Sequence, residues 1–460
     1  MTRIKHATEM TFDDDCLELR SFADQFERYL EVDQLFATGS LVVSLEAPFG
    51  SGKTAFLSMW FKRLLERRKT NEDRPIPVLL NAWEDDFATD PFIPIISSLI
   101  DKLEEQLPNK HMMIRPLRKT AQEIAWFGLA LANGYVQKST GFDLIKAGEI
   151  AEAKTASDNH GKTDLFRLYK TKKNLLNQLK DNLSRLLSNE NRIKTIICVD
   201  ELDRCRPDYA IQYLETIKHI FNVPGIVFVL AIDRAQISSS ARALFGSDLQ
   251  ADEYLRKFIA RTFLLPKPSE ATLTAIATDL FKRFVHVDNV RKTKFPTDPD
   301  SNRALIKLCL GLGFTPRQLE DVFRLMGYVF SSSDQNRKVY QSWCNALIFL
   351  CCLKTHNQSL YHNFCTGSTD ILKLRHQLIE KLDPTFLDKW LCLCHTGFIN
   401  DIRKRYVDLL SEAKIPIPGG NEGDRVYPLM ENEFRAGWGP DRSDNTIVAL
   451  FKRIESAACF

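Results

Sequence analysis

Little in this 460-residue chain is extreme, and what it lacks narrows the field first. Its 62 basic and 59 acidic side chains leave a formal charge of only +3, so no global positive excess marks it for nucleic acid or an acidic surface. Any such partner would need a local basic patch. No apolar run approaches the roughly 20 residues that span a bilayer. The longest in the first half, IAWFGLALANGYV (Ile124 to Val136), carries two glycines and an asparagine, and IFLCCL (Ile348 to Leu353) is shorter. The opening MTRIKHATEMTFDDDC is polar and acidic where a secretory leader would be apolar. There is no C-x-x-C pair, no internal repeat and no long low-complexity tract. These absences predict a cytoplasmic protein with no integral membrane segment.

What is present is globular in character. With 44% hydrophobic and 26% charged residues, the chain is neither disordered nor collagen-like nor mucin-like. Its length suggests two or three domains. The 11 cysteines are odd in number and several sit in apolar runs, which reads as reduced, buried thiols and not a disulfide framework. Between Cys344 and His395 lie Cys351, Cys352, His356, His362, Cys365, Cys392 and Cys394, enough for a zinc site to be conceivable. Cys344, Cys351 and Cys352 fall at i, i+7 and i+8, however, the spacing of one buried helix face.

The chain opens with an amphipathic helix over 14–36, carrying Leu17, Leu19, Phe22, Phe26 and Leu30. A β-branched run, LVVSL, leads through APFGSGKT into a helix from Ala55 to Arg67. A second strand, IPVLLNAW, and a helix from Pro91 to Leu107 follow. Residues 108–160 break the rhythm and read as a helical insertion with a polar connector, AKTASDNHGKT. A long leucine-faced helix then leads to strand IKTIICVD, a helix from Asp208 to Phe221, strand GIVFVLAID, a helix from Asp252 to Arg261, and strand TFLLP. Strands alternating with helices predict a doubly wound parallel α/β sheet. Beyond Pro266 and Pro268 only helices are expected, at 272–285, 302–312, 316–330, 339–352, near 370–382 and at 385–394, with a last one after the turn-rich PIPGGNEGDRVYP. GWGP, at Trp438, reads as another turn. The predicted division is an α/β core over 1–266 with an insertion at about 108–190, a helical domain at 267–335, and a C-terminal helical domain at 336–460.

APFGSGKT, Ala47 to Thr54, is the sharpest signal. A glycine-rich loop between strand and helix turns backbone N–H groups onto phosphate oxygens, and the helix N-terminus adds partial positive charge. Pro48, Phe49, Gly50, Ser51, Gly52, Lys53, Thr54 and Ala55 are the expected nucleotide contacts. Lys53 would reach the β- and γ-phosphates, and the Thr54 hydroxyl would bind Mg²⁺. Ala47 replaces the first glycine of the usual pattern. IICVDELDR supplies a second half: Asp200, at a strand end beside the phosphate loop on the same sheet edge, would hold Mg²⁺, and Glu201 would act as general base. Together they predict an ATPase using ATP and Mg²⁺.

In order along the chain, PFGSGKT, NAWEDD (Asn81 to Asp86), VDELDRCRP (Val199 to Pro207), FNVPGIVFVLAIDR (Phe221 to Arg234), EYLRKFI (Glu253 to Ile259) and FTPRQLE (Phe314 to Glu320) resemble the KAP P-loop NTPases, a STAND-like, AAA-related family. The resemblance covers roughly residues 14–330. It implies a doubly wound ATPase core followed by a helical lid. Many members carry two membrane spans between the phosphate loop and the second acidic strand. This chain has only the Ile124 to Val136 run there, and so resembles the membrane-free, bacterial branch that includes phage-excluding proteins.

By the same resemblance Asp233 would sense the γ-phosphate and Arg317 would reach the nucleotide from the lid. Arg204, Arg206, Arg256 and Lys257 are the candidates for an arginine finger or its equivalent. Trp83 reads as a packing residue at its strand end, and Glu84 and Asp85 as possible aids to Mg²⁺ or water. The expected function is an oligomeric, ATP-hydrolysing switch in bacterial antiphage defence, assembling with itself or with partner proteins of a defence operon and responding to a phage component. Two alternatives stand beside it. One is a nucleic-acid-remodelling ATPase, for which RKRYVDLLSEAK (Arg403 to Lys414) is the only candidate recognition helix. The other is a membrane-associated scaffold using the 124–136 run.

Overall fold

Along four of the five strands the side chains alternate between two apolar layers, the period-2 signature of a sheet covered on both faces. In a computed structural model of the chain, the structure describes residues 10–13, 15–88, 90–132, 165–187, 192–286, 299–331, 340–397, 405–416 and 446–458. The connector AKTASDNHGKT, the end of the Ile124 to Val136 run, nearly all of PIPGGNEGDRVYP, GWGP, and Arg403 with Lys404 lie outside the described residues. The chain divides into two units, Met1–Pro266 and Lys267–Phe460.

The first unit is built on five parallel strands: β1 (Leu41–Glu46), β2 (Ile76–Asn81), β3 (Thr195–Asp200), β4 (Ile226–Ile232) and β5 (Arg261–Leu264). Their spatial order is β2-β3-β4-β1-β5. Leu41, Val43 and Leu45 of β1, with Val227, Val229 and Ala231 of β4, join one apolar layer. That layer is closed by α1 (Arg20–Gln34) and α2 (Lys53–Thr70). Val42, Ile197, Val199, Phe228 and Leu230 join the opposite layer, under α3 (Phe92–Gln106), α4 (His111–Ala132), α5 (Leu165–Leu187) and α6 (Pro207–Ile220). An aromatic cluster of Phe22, Phe26, Phe56, Trp60 and Phe263 fastens α1 to α2 and to β5.

Three local expectations change. The opening helix begins at Arg20, not near residue 14. Ahead of it the Asp15 carboxylate accepts the N–H groups of Leu17 and Leu19 at 2.9 and 2.6 Å, and Glu18 takes a φ of 58°. A helix missed in the sequence, α7 (Arg234–Phe245), follows β4; its Ser238–Ser240 run dilutes the apolar pattern, but the Asp233 side chain caps it through Ala235 N at 3.0 Å. The helix expected over 252–261 shrinks to α8 (Ala251–Leu255), because Ala260 N already donates to Val42 O at 2.8 Å and commits the chain to the sheet.

Every described element of the second unit is a helix: α9 (Glu270–Val285), α10 (Pro299–Gly311), α11 (Pro316–Ser331), α12 (Gln341–His356), α13 (Gln358–Cys365), α14 (Ile371–Leu378), α15 (Pro384–Gly397), α16 (Tyr406–Glu412) and α17 (Thr446–Ala458). One apolar core runs through it from Ala277 to Ile454, so the helices before and after residue 336 share packing. Cys344, Cys351, Cys352, Cys365, Cys392 and Cys394 are buried in that core, and burial pushes the Cys365 thiol up to about 12. The core also encloses one charge pair. Arg375 Nε donates to Asp388 Oδ1 at 2.7 Å and its Nη2 to Oδ2 at 3.2 Å, while Tyr406 OH donates to Oδ1 at 2.7 Å.

Asp388 is fully buried, so removing it strands both a guanidinium and a phenol hydroxyl. Asp388→Ala is therefore expected to destabilise this unit by about 3–5 kcal/mol, seen as a lowered urea midpoint; a loss under about 1 kcal/mol would show the pair is not held as drawn.

Candidate nucleotide-binding site

Four strands deliver their ends to one edge of the sheet. β1 gives Glu46 and the loop Ala47–Gly52, β2 gives Asn81, β3 gives Asp200, and β4 gives Asp233. The sequence places Asp200 beside the phosphate loop. The edge is indeed shared, but β4 separates the two strands, pairing with β1 on one side and β3 on the other.

The loop takes the shape its glycines allow. Gly50 and Gly52 have φ of 78° and 100°, and Gly52 is the residue before α2. A Cβ on Gly52 would also come within 2.5 Å of Leu17 Cδ1, so the segment ahead of α1 packs down on the loop. Lys53 is buried and donates through Nζ to Ala47 O at 2.6 Å, bracing the loop across its own base. The Thr54 hydroxyl, on the first turn of α2, is near enough to the Asp200 carboxylate to favour its charged form, so α2 and β3 come together across the end of β4.

The acidic turn after β3 is held as tightly. Burial raises the Asp200 pKa, and the Thr54 hydrogen bond acts against that shift. Its Oδ1 accepts Glu201 N at 2.9 Å. Glu201 sits at φ 61°, ψ 22°, a left-handed conformation that a non-glycine residue adopts at some cost. Its carboxylate is gripped from two sides, by Arg204 Nη1 at 3.0 Å and Asn81 Nδ2 at 3.4 Å. Two residues on, Asp203 Oδ2 accepts Asp233 N at 2.7 Å and lies 3.8 Å from Lys53 Nζ.

The expected residues thus divide. Lys53, Thr54, Asp200 and Glu201 meet at one place, with Phe49 and Arg204 beside them: the Arg204 guanidinium carbon lies 4.9 Å from the Phe49 ring centroid. Asp233 reaches the same edge, but its carboxylate is occupied as the cap of α7. Arg206 is tied to Asp86 through its N–H, Nε and Nη2 at 3.0, 3.1 and 3.0 Å, fastening the loop after β2 to the start of α6. Arg256 and Lys257 are exposed, with Lys257 Nζ 5.3 Å from the Tyr254 ring. Arg317 belongs to the second unit, exposed in the first turn of α11. Trp83 departs from its expected packing role: its ring is 52% exposed, and Arg204 lies over it at 5.5 Å. Burial, helped by the Glu84 charge, raises the pKa of Asp85.

Two residues of this edge went unremarked in the sequence. Asn81 could have been found as the one polar residue ending the apolar run of β2. Asp203 could have been found from its spacing three after Asp200, which a single tight turn brings back over the strand end.

For Mg²⁺, Thr54 and Asp200 offer an oxygen-only set, a hydroxyl and a carboxylate. That suits a hard cation which takes one or two protein ligands and fills its shell with phosphate and water. Among the described residues no group of three or more His, Cys, Asp or Glu is placed to hold a metal by itself.

A five-stranded parallel sheet with a glycine loop running from β1 into α2, and an acidic strand end two positions away, defines a P-loop nucleotide-binding core. The KAP family P-loop domain matches residues 20–333, and the chain belongs to that family. Over 241 residues it is 24% identical to the Phage T7 exclusion protein of Escherichia coli (strain K12), a match spanning 50% of this chain and 30% of that one. Among solved structures, the Aeropyrum pernix ORC2 protein with ADPNP and ADP aligns over 92% of this chain and 95% of its own, at 13% identity and a TM-score of 0.34. C. elegans PCH-2 aligns over 74% and 69%, at 12% identity and a TM-score of 0.29. Neither superposition is close enough to bear on function.

Because Asp203 is the acceptor for the Asp233 N–H, Asp203→Ala is expected to cost about 1–3 kcal/mol of stability, seen as a lowered melting temperature. Asp203→Asn, which keeps an acceptor oxygen, should lose less; equal losses would place the effect in the charge beside Lys53.

Proposed function

We propose that the chain binds and hydrolyses ATP, and uses the cycle as a switch in the exclusion of phage. The observation that carries the hydrolytic reading is the convergence of Lys53, Thr54, Asp200 and Glu201 at the end of the same sheet, with Lys53 Nζ 3.8 Å from Asp203 and Glu201 held by Arg204. Backbone N–H groups of the loop and the start of α2 bind the phosphates, and Lys53 moves its charge from Ala47 O to the β- and γ-oxygens. Thr54 and Asp200 would hold Mg²⁺, which when bound neutralises phosphate charge.

Glu201 is the base. A water oxygen bonds to the γ-phosphorus as the bond from that phosphorus to the β–γ bridging oxygen breaks. ADP leaves with the electron pair, and the water proton passes to Glu201 and then to solvent. The phage-exclusion role is supported by family membership and by the E. coli relative, and a self-assembling form with Arg256 or Lys257 facing a neighbour's site belongs to the same proposal. For the membrane alternative, no described helix is long and apolar enough to cross a bilayer.

The test is turnover of MgATP by the purified protein across a concentration series, with binding of labelled ATP measured in parallel. Lys53→Ala should lose binding and turnover together. Glu201→Gln should keep binding while turnover falls by about 10²–10⁴-fold. Undiminished turnover in Glu201→Gln would overturn its role as base. A rate per molecule independent of concentration would remove the shared site. In cells, the wild-type chain should lower phage plating and Lys53→Ala should not; equal plating would sink the defence role and leave the ATPase.

A further inference from the structure

Two aromatic side chains stand half out of the surface at the phosphate loop, Phe49 within the loop and Trp83 just past the end of β2, each 52% exposed. Between them lies one guanidinium. Arg204 Cζ is 4.9 Å from the Phe49 ring centroid and 5.5 Å from that of Trp83, and its Nη1 is 3.0 Å from Glu201 Oε1. One end of this cation therefore rests on the loop that binds phosphate, and the other holds the carboxylate that activates water. A lysine could not fill the seat as well, because only a planar cation stacks on rings while forking to a carboxylate. Arg206, two residues on, is committed by three hydrogen bonds to Asp86 and has no comparable freedom.

We propose that Arg204 serves the ATP bound to its own subunit, and that Phe49 and Trp83 are the seat that aims it. Without a γ-phosphate, Arg204 stays on Glu201. With one, the more highly charged phosphate oxygens draw the guanidinium along the Phe49 ring. Glu201 is then left to accept the water proton, and Arg204 to balance charge developing on the transferred group. The aromatic pair keeps Arg204 over the loop in both positions. This rests on the hydrolytic reading above but assigns it a positioning device: the cation that gates the base and meets the phosphate is one and the same, and it acts in cis.

Tryptophan emission reports the seat directly, and turnover reports its consequence. An imido analogue of ATP should change the emission of the wild-type protein, and ADP should not. The change should vanish in Trp83→Phe and in Arg204→Ala, with binding of labelled nucleotide retained in both. Arg204→Ala should lower kcat by about 10²–10³-fold, the usual cost of one lost transition-state donor, with KM changed far less. Mixing Arg204→Ala with Lys53→Ala, which carries an intact Arg204 but an impaired loop, should restore nothing. Recovery on mixing would make Arg204 a residue of the neighbour's site and overturn the proposal. So would a kcat in Arg204→Ala at or above the wild-type value, or equal emission changes with ADP and the analogue. Absence of turnover in the wild type falls on the hydrolytic reading alone, since the emission series still judges the seat; absence of any ATP binding overturns both.

Discussion

The position of β4 between β1 and β3 is the constraint on which the site depends. Neighbouring strands lie about 4.8 Å apart, so one intervening strand sets the phosphate loop and the acidic strand end roughly 10 Å from each other. That gap is too wide for Asp200 to meet the loop backbone, and wide enough for a phosphate chain to lie over the end of β4. The Thr54 side chain, projecting from the first turn of α2, reaches into it toward Asp200. Had β3 paired directly with β1, the same residues would be crowded against the loop. The register that prevents this is apolar in origin: Val227, Phe228, Val229 and Leu230 are each fully buried between two layers, and no polar strand could take their place.

Within that gap the problem is charge. Asp200, Glu201 and Asp203 lie within four residues, against Lys53 and Arg204. Each carboxylate has separate partners: Glu201 N for Asp200, Arg204 and Asn81 for Glu201, Asp233 N and Lys53 for Asp203. The left-handed turn at Glu201 makes this possible, since it swings three successive acids toward three different partners. The unusual backbone and the acidic sequence are thus one feature, and Asn81 and Asp203 belong to it as fully as Lys53, Asp200 and Glu201.

Much of this was legible in order along the chain, because strand, loop and helix at Leu41–Thr70 are local, and the apolar run ending at Asp200 marks its own strand end. What was not legible depended on long-range pairing. No pattern within 195–200 says which strand lies next to it, and so the intervening β4 was lost. Trp83 ends an apolar run and reads as core, yet the sheet stops at Asn81 and the ring is carried past its edge. α7 was hidden by serines whose backbone helicity is fixed by the Asp233 cap and by Ile237 and Ala241 beneath them. In the C-terminal unit the thiol-rich face was readable from helical spacing, whereas the partnership of Arg375, Asp388 and Tyr406 was not, since it joins three helices.

Two buried carboxylates in this protein show how a working site differs from a structural one. Asp388 has no exposed surface, and both its oxygens accept from groups of the same core: two guanidinium N–H groups and a phenol. Three of its roughly four acceptor positions are filled, and such a group holds three helices together. Asp200 is 7% exposed and accepts one amide, Glu201 N, in an environment whose burial opposes its charge. A carboxylate with so few donors lacks the compensation that Asp388 receives, so the two acids differ in kind although both are buried.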